Sequence, residues 1–351
     1  MVVGLLRPQG RDRRPAKTVA LDLRCVCAAA RCARAVDKGK PRMDSQGATE
    51  TVDPSGTRAD ARLREIGLDI TALPTMSNVV AKVLSLTGSD KASASDVAAW
   101  ISQDPALSAR ILRIVNSAFY GLRATVATVQ RAVVILGFSR VRGMVLGAAA
   151  AESLRGLAPQ APSFTLRDFW YHSAATADLA SGLCRRAFPD SVDEAFTAGL
   201  LHDIGALLLA VHAGDAFEEC IHAARSTGRP LEEVERERLG LDHGEVGAQA
   251  AKRWNLPPSL EAAIRFHDHP SEAGESGILA AVTRVAEVMA LRDHPDAWEY
   301  GGEAPEIDPA LWERLREASH ASGALKPAIL AAELGNRSDS VRGLAHALMV
   351  A

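Results

Sequence analysis

From residue 77 onward, apolar residues return every three or four positions, the spacing that lines one face of a helix. Strand-like alternation is scarce, so the pattern predicts an all-α fold. The first segment, 77–86, follows a turn at Leu73-Pro74 and carries Val79, Val80, Val83 and Leu84. Ser95 or Asp96 is expected to cap the next helix, which carries Val97, Trp100 and Ile101. Asp104-Pro105 marks another start, because Asp accepts from the free amides of a first turn and Pro has no amide to lose there. That helix runs through Leu107, Ile111, Leu112 and Val115. Segments 126–136 and 138–154 follow, with Gly137 between them and Gly143 and Gly147 spaced for close helix contact. A second block predicts helices over 166–188, 193–213, 217–226, 231–239, 243–254, 259–267 and 276–291. Pro257-Pro258 divides two of them. Beyond a Gly/Pro-rich break at 301–309, the tail reads as two or three further amphipathic helices.

Composition supports this picture and divides the chain. Hydrophobic residues make up 47% and charged residues 24%, ordinary for a globular protein, and the 5% aromatic content suits packed helices. A net charge of -3 argues against nucleic acid as a partner of the whole chain. Residues 1–42 differ, with eleven Lys/Arg against three Asp and three of the five cysteines, Cys25, Cys27 and Cys32. A basic arm and a zinc-holding Cys trio are two readings of this segment. The abrupt change of composition favours a third, a start of translation at Met43. Residues 1–58 are accordingly expected to form a disordered basic segment without assigned function. They lack the apolar stretch of a secretory signal. Cys184 and Cys220 are too few for a disulfide framework, which points to a reducing cytoplasm. The best candidate for a membrane span, 198–213, is interrupted by His202, Asp203 and His212 and is expected to be a buried core helix.

That same run holds the candidate chemistry. Gly199-Leu-Leu-His-Asp-Ile-Gly205 places His202–Asp203 in an apolar stretch, where a charge is costly unless it is paired or bound to metal. A plainer reading has both side chains satisfying backbone groups where helices pack. His172, His243, His267 and Glu287 also lie on or beside predicted helices, and a helical bundle can converge such groups. Mixed imidazole and carboxylate donors suit manganese, iron or zinc. His172, His202, Asp203 and Glu287 would make one metal site. His243 and His267, with Asp268 or His269, would extend it toward a second. Each has an innocent alternative: His172 a surface residue beside Phe169-Trp170-Tyr171, His243 a helix cap, His267 and His269 a helix end at Pro270, Glu287 one helical glutamate of many.

Further stretches stand in a fixed order: Leu73-Pro74, Asp104-Pro105-Ala106-Leu107 with Arg110-Ile111-Leu112, Asn116-Ser117-Ala118 and Ala132 with Leu136-Gly137. They continue through Phe169-Trp170 with His172-Ser173, Ala198 to Gly205, and His243-Gly244-Glu245-Val246-Gly247 with Trp254. With these motifs, residues of about 66–290 resemble the HDOD domain, a degenerate relative of the HD-domain metal-dependent phosphohydrolases. The resemblance implies a helical bundle with an N-terminal helical subdomain and an HD-like subdomain over 59–295, followed by a C-terminal helical extension, 296–351. By the same resemblance His172, His202 and Asp203 fall on the first three positions of the HD metal set, and Glu287 stands where its last Asp belongs. The HD-GYP cyclic-dinucleotide phosphodiesterases have a second His where this chain has Asp268, and a Gly-Tyr-Pro signature where it has His269-Pro270-Ser271. Both departures argue against cyclic-di-GMP hydrolysis.

The resemblance thus implies a bacterial, cytoplasmic signalling scaffold that binds signalling proteins, with a nucleotide as a further ligand, and that carries out no catalysis. The alternative is a phosphohydrolase or phosphodiesterase on a residual HD site, with Asp203 as the candidate catalytic residue orienting the attacking water. A third and weaker reading is nucleic-acid binding through the basic arm and Arg140 and Arg142. The C-terminal extension is expected to serve packing or homodimer formation.

Overall fold

The computed structural model describes residues 63–65, 68, 76–87, 91–153, 158–293, 306–319 and 338–349. The expectations for residues 1–58, for the Met43 start and for the turn at Leu73-Pro74 lie outside the described residues. Among the described residues there are fifteen α-helices and no strand, in agreement with the all-α reading.

The first block comprises α1 (Asn78–Thr87), α2 (Ala94–Ile101), α3 (Pro105–Val115), α4 (Val129–Leu136) and α5 (Phe138–Ser153). Local signals set their ends. Asp104 caps α3 by accepting from the Leu107 amide at 3.0 Å, with Pro105 in the first turn. The start of α2 differs from expectation. Its cap is Ser93, because Ser93 and Asp96, three apart, bond reciprocally to each other's backbone amides. Helix α5 carries Gly143 and Gly147, where an added Cβ would strike Thr197 and Leu200 of a helix in the second block. Their spacing does mark a close helix contact.

The second block comprises α6 (Leu166–Ala187), α7 (Val192–Leu201), α8 (Ile204–His212), α9 (Gly214–Thr227), α10 (Leu231–Arg238), α11 (His243–Arg253), α12 (Pro258–Phe266) and α13 (Gly277–Asp293). Short 3-10 turns, Pro189–Ser191 and Pro270–Ser276, precede α7 and α13. Helix α6 is the central rod, buried along most of its length, with α7 and α13 laid against it. Helix α8 packs on α11, and α12 packs on both α11 and α13.

The single helix expected over 193–213 is two. Helical bonding resets at His202-Asp203, where Asp203 adopts φ -94° and ψ 14°. Adjacent residues of an unbroken helix point about 100° apart. The reset lets both of these side chains turn inward. The run Pro189–His212 is long and apolar enough to cross a membrane, yet 94% of its most apolar window is buried among other helices.

The tail supplies α14 (Pro309–Ala318) and α15 (Ser338–Met349). Helix α14 rests on α13, and α15 lies along α6 with Val341, Leu344, Ala345, Ala347 and Leu348 buried. The described tail is therefore built into the bundle.

Candidate metal centre

Two glycines set the distances at the centre. Helix α7 crosses α6 so closely at Gly199 that a Cβ there would lie 2.8 Å from the backbone of Ala177. At Gly205 a Cβ would collide with the carbonyl of His243. Small residues at these two points bring α6, α7, α8 and the start of α11 within reach of one another. His172, His202, Asp203 and His243 come from those elements. His267 and Asp268 follow α12, and Glu287 projects from α13.

Four imidazoles surround Asp203, and Asp268 and Glu287 join them from either side. Its Oδ2 lies 3.1 Å from His202 Nε2 and 3.5 Å from His172 Nε2. Its Oδ1 lies 3.3 Å from His267 Nε2 and 3.7 Å from His243 Nε2. Asp268 Oδ2 stands 3.1 Å from His243 Nε2 and 3.3 Å from His267 Nε2. Three overlapping groups result: His172 with His202 and Glu287, His202 with Asp203 and His267, and His243 with His267 and Asp268, each with donor atoms within 4.8 Å of one another. His202, Asp203, His243, His267 and Glu287 are fully shielded from solvent, and His172 is 2% exposed.

The outer contacts decide which ring nitrogen faces the centre. His202 Nδ1 donates to the Gly199 carbonyl at 2.9 Å, and His267 Nδ1 donates to the Ile264 carbonyl at 2.8 Å. Glu235 Oε2 accepts from both His243 Nδ1, at 2.7 Å, and the His243 amide, at 2.8 Å. In their neutral forms these three imidazoles therefore aim Nε2 lone pairs inward. The Nε2 atoms of His243 and His267 are 3.2 Å apart, as are those of His172 and His202. Lone pairs at that distance repel unless a proton or a cation lies between them. Two imidazoles bound to one ion at about 2.1 Å sit roughly 3.0 to 3.4 Å apart, so the observed spacing fits shared ligation. Neither buried oxygen of Asp203 receives a well-formed hydrogen bond, as expected of an oxygen suited to ligation. The residues fit divalent metal of the first transition row.

Electrostatics agree. Burial pushes the Asp203 carboxyl upward, but His202 and His267 outweigh it and hold Asp203 well below the usual carboxylate range. Burial presses His267 downward, and Asp268, Asp203 and Glu287 together raise it to about 9. His243 is raised well above its ordinary value, with burial overcome by Glu235 and Asp268. The surrounding carboxylates thus call for positive charge at the centre, which protons or metal ions can supply. Arg284 supplies some from outside, its Nη1 lying 2.9 Å from both Asp268 Oδ1 and Glu287 Oε1.

The structure brings together every sequence-predicted donor: His172, His202, Asp203 and Glu287, and also His243 and His267. His172 is not on the surface, and Asp242, not His243, caps α11. Of the two residues weighed for the second group, Asp268 joins it, while His269 faces Glu232 at 3.6 Å. Glu235 and Arg284 were missed. Glu235 is one of four glutamates in α10, and no spacing sets it apart.

Comparison with known proteins agrees with this architecture. A curated relative from Treponema pallidum (strain Nichols), itself uncharacterized, is 26% identical over 182 residues, covering 52% of this chain and 34% of the relative. The chain thus spans about a third of the length of that relative. A solved structure from Shewanella amazonensis SB2B named "Putative phosphohydrolase" is 29% identical, covering 82% of this chain and 98% of that one, with a TM-score of 0.62. An HDOD domain protein of unknown function from Geobacter sulfurreducens is 21% identical, covering 85% of this chain and 100% of that one, with a TM-score of 0.67. The HDOD domain model itself matches residues 73–270, a span that contains every donor of the centre except Glu287. By the match over more than half its length, and by the helical frame that carries the match, the chain belongs to the HDOD domain family.

Proposed function

We propose that this protein is a regulatory module of bacterial signal transduction, built around a buried divalent-metal centre, and that it works by binding partner proteins and not by turnover. One observation carries the reading: the donors close around Asp203 with no solvent exposure at five of the seven positions. Structural metal sites are closed in this way, whereas catalytic sites keep a position open for water or substrate. His172, His202, Asp203 and Glu287 would hold one ion, and Asp203, His243, His267 and Asp268 a second. Glu235 orients His243, and the carbonyls of Gly199 and Ile264 orient His202 and His267. The centre thereby fastens α6, α7, α11, the end of α12 and α13 to one another. Manganese, iron and zinc are the expected ions.

A phosphohydrolase is the second reading, and one feature favours it. Asp268 and Arg284 reach the wall of a cavity of about 350 Å³ between the Pro270–Ser276 turn, α13 and α14. A bound divalent ion in such a place supplies Lewis-acid polarisation of a phosphoryl oxygen. Arg284 would hold the anionic end of a substrate, and Asp268 would face it. The Shewanella relative's name points the same way.

Elemental analysis of purified protein, paired with assays on p-nitrophenyl phosphate and its bis-ester, separates the readings. The regulatory reading expects two ions per chain, at least one of which is lost in His202→Ala, and no turnover of either ester. Turnover that is lost in both His202→Ala and Asp268→Ala would establish the hydrolase instead. Metal-free protein would remove the metal centre from both readings.

A further inference from the structure

A second cavity, of about 410 Å³, is lined by none of these donors and lies between the first block and the corner where α11 meets α12. Met76, with Leu84 of α1, forms one wall, and Trp254 and Pro257 form the other. Its charged lining residues are two arginines, Arg142 of α5 and Arg253 at the end of α11, and no acidic residue lines it. Arg142 is half-buried, and among the described residues its side chain has no hydrogen bond or ion pair. Its neighbour Arg140, one helical position pair away, is matched by Asp193 at 3.4 Å. The corner is preformed. Asn255 takes the left-handed backbone (φ 52°), and the amides of Asn255 and Leu256 bond back to the carbonyls of Lys252 and Ala251 at 3.0 Å each.

An apolar cleft of this size with a few converging polar groups is the usual form of a small-molecule site. A half-buried guanidinium without a counter-charge is costly unless an anion meets it. Its planar fork matches phosphate oxygens in pairs. Ser85 and Asn255 add neutral polar groups at the rim that can meet the edge of a heterocycle. We infer that this cleft binds a small organic phosphate with a flat, weakly polar body, of the size of a nucleoside monophosphate. The phosphate sits against Arg142 and Arg253, and the body lies along Met76, Leu84 and Trp254. The inference stands apart from the metal centre and does not depend on what that centre does.

Calorimetric titration of the full-length protein with AMP and GMP at low ionic strength tests it, with inorganic phosphate, adenosine and octanoate as the comparison probes. Saturable one-to-one binding of at least one nucleotide is expected, tighter than inorganic phosphate or adenosine. Arg142→Gln should weaken it at least about tenfold, the worth of one charge-assisted contact, with Arg253→Gln as the second variant. Among the described residues the Arg142 side chain has no bonding partner, so Arg142→Gln should melt as the native chain does. Binding should survive removal of metal by a chelator. Nucleotides that bind no better than phosphate, affinity unchanged in both variants, or binding lost with the metal would each overturn the inference. Octanoate binding more tightly than either nucleotide would overturn the ligand class.

Discussion

Glu235 shows how much of the centre depends on residues that are not themselves donors. Its Oε2 accepts from two nitrogens of His243, and the side chain is fully buried. Burial raises its own carboxyl, although His243 works in the opposite direction. Glu235→Gln keeps an acceptor oxygen of the same shape, whereas Glu235→Leu removes it. Loss of such an outer partner typically weakens metal binding about 10- to 100-fold. The expected result is two ions per chain in the native protein and in Glu235→Gln, and one weakly held ion fewer in Glu235→Leu, read by elemental analysis after dialysis. Equal metal content in all three would show that His243 needs no such brace.

At the scale of elements, the glycine at the α6–α7 crossing is the sensitive point. In Gly199→Ala the new Cβ meets backbone atoms of Ala177 at 2.8 Å, which no rotamer change can relieve. The helices must part, at a cost of about 1 to 3 kcal/mol. Because α6 carries His172 and α7 leads into His202, the same parting should loosen the first metal position and spare His243, His267 and Asp268. A lower melting temperature together with partial metal loss is expected; an unchanged melt would mean the crossing is looser than drawn. Helix identities and most ends were legible in the sequence because apolar periodicity and strong caps such as Asp104 agree locally. The break at His202-Asp203 was not, since apolar residues flank it on both sides and tertiary convergence decides it. Nor was the choice of Ser93 as a cap, with Ser95 and Asp96 close by. The donors were legible as residue types in motifs. The choice of Asp268 over His269 was not, because it depends on where the chain turns after α12.

For the whole molecule, α15 is the test of how the tail contributes. Five of its side chains are buried, mainly against α6, the rod that carries His172. Burying each large aliphatic side chain is worth about 1.5 to 3 kcal/mol. A chain ending at residue 337 should therefore lose several kcal/mol of stability, melt at lower temperature and bind an apolar dye. A truncated chain that melts like the full one and forms no new dimer would show that α15 contributes little to the bundle.

Helix α11 begins at His243, a donor of the centre, and ends at Arg253, a wall of the cleft. Its eleven residues make a rod roughly 16 Å long, too short and too well packed to bend. An occupant that tilted the rod at one end would shift His243 at the other. Thermodynamic linkage then makes the influence mutual: whatever factor the cleft's occupant imposes on the affinity for the ion, the ion imposes on the affinity for that occupant. A link of that kind would grade one affinity by the other while leaving each site able to fill alone.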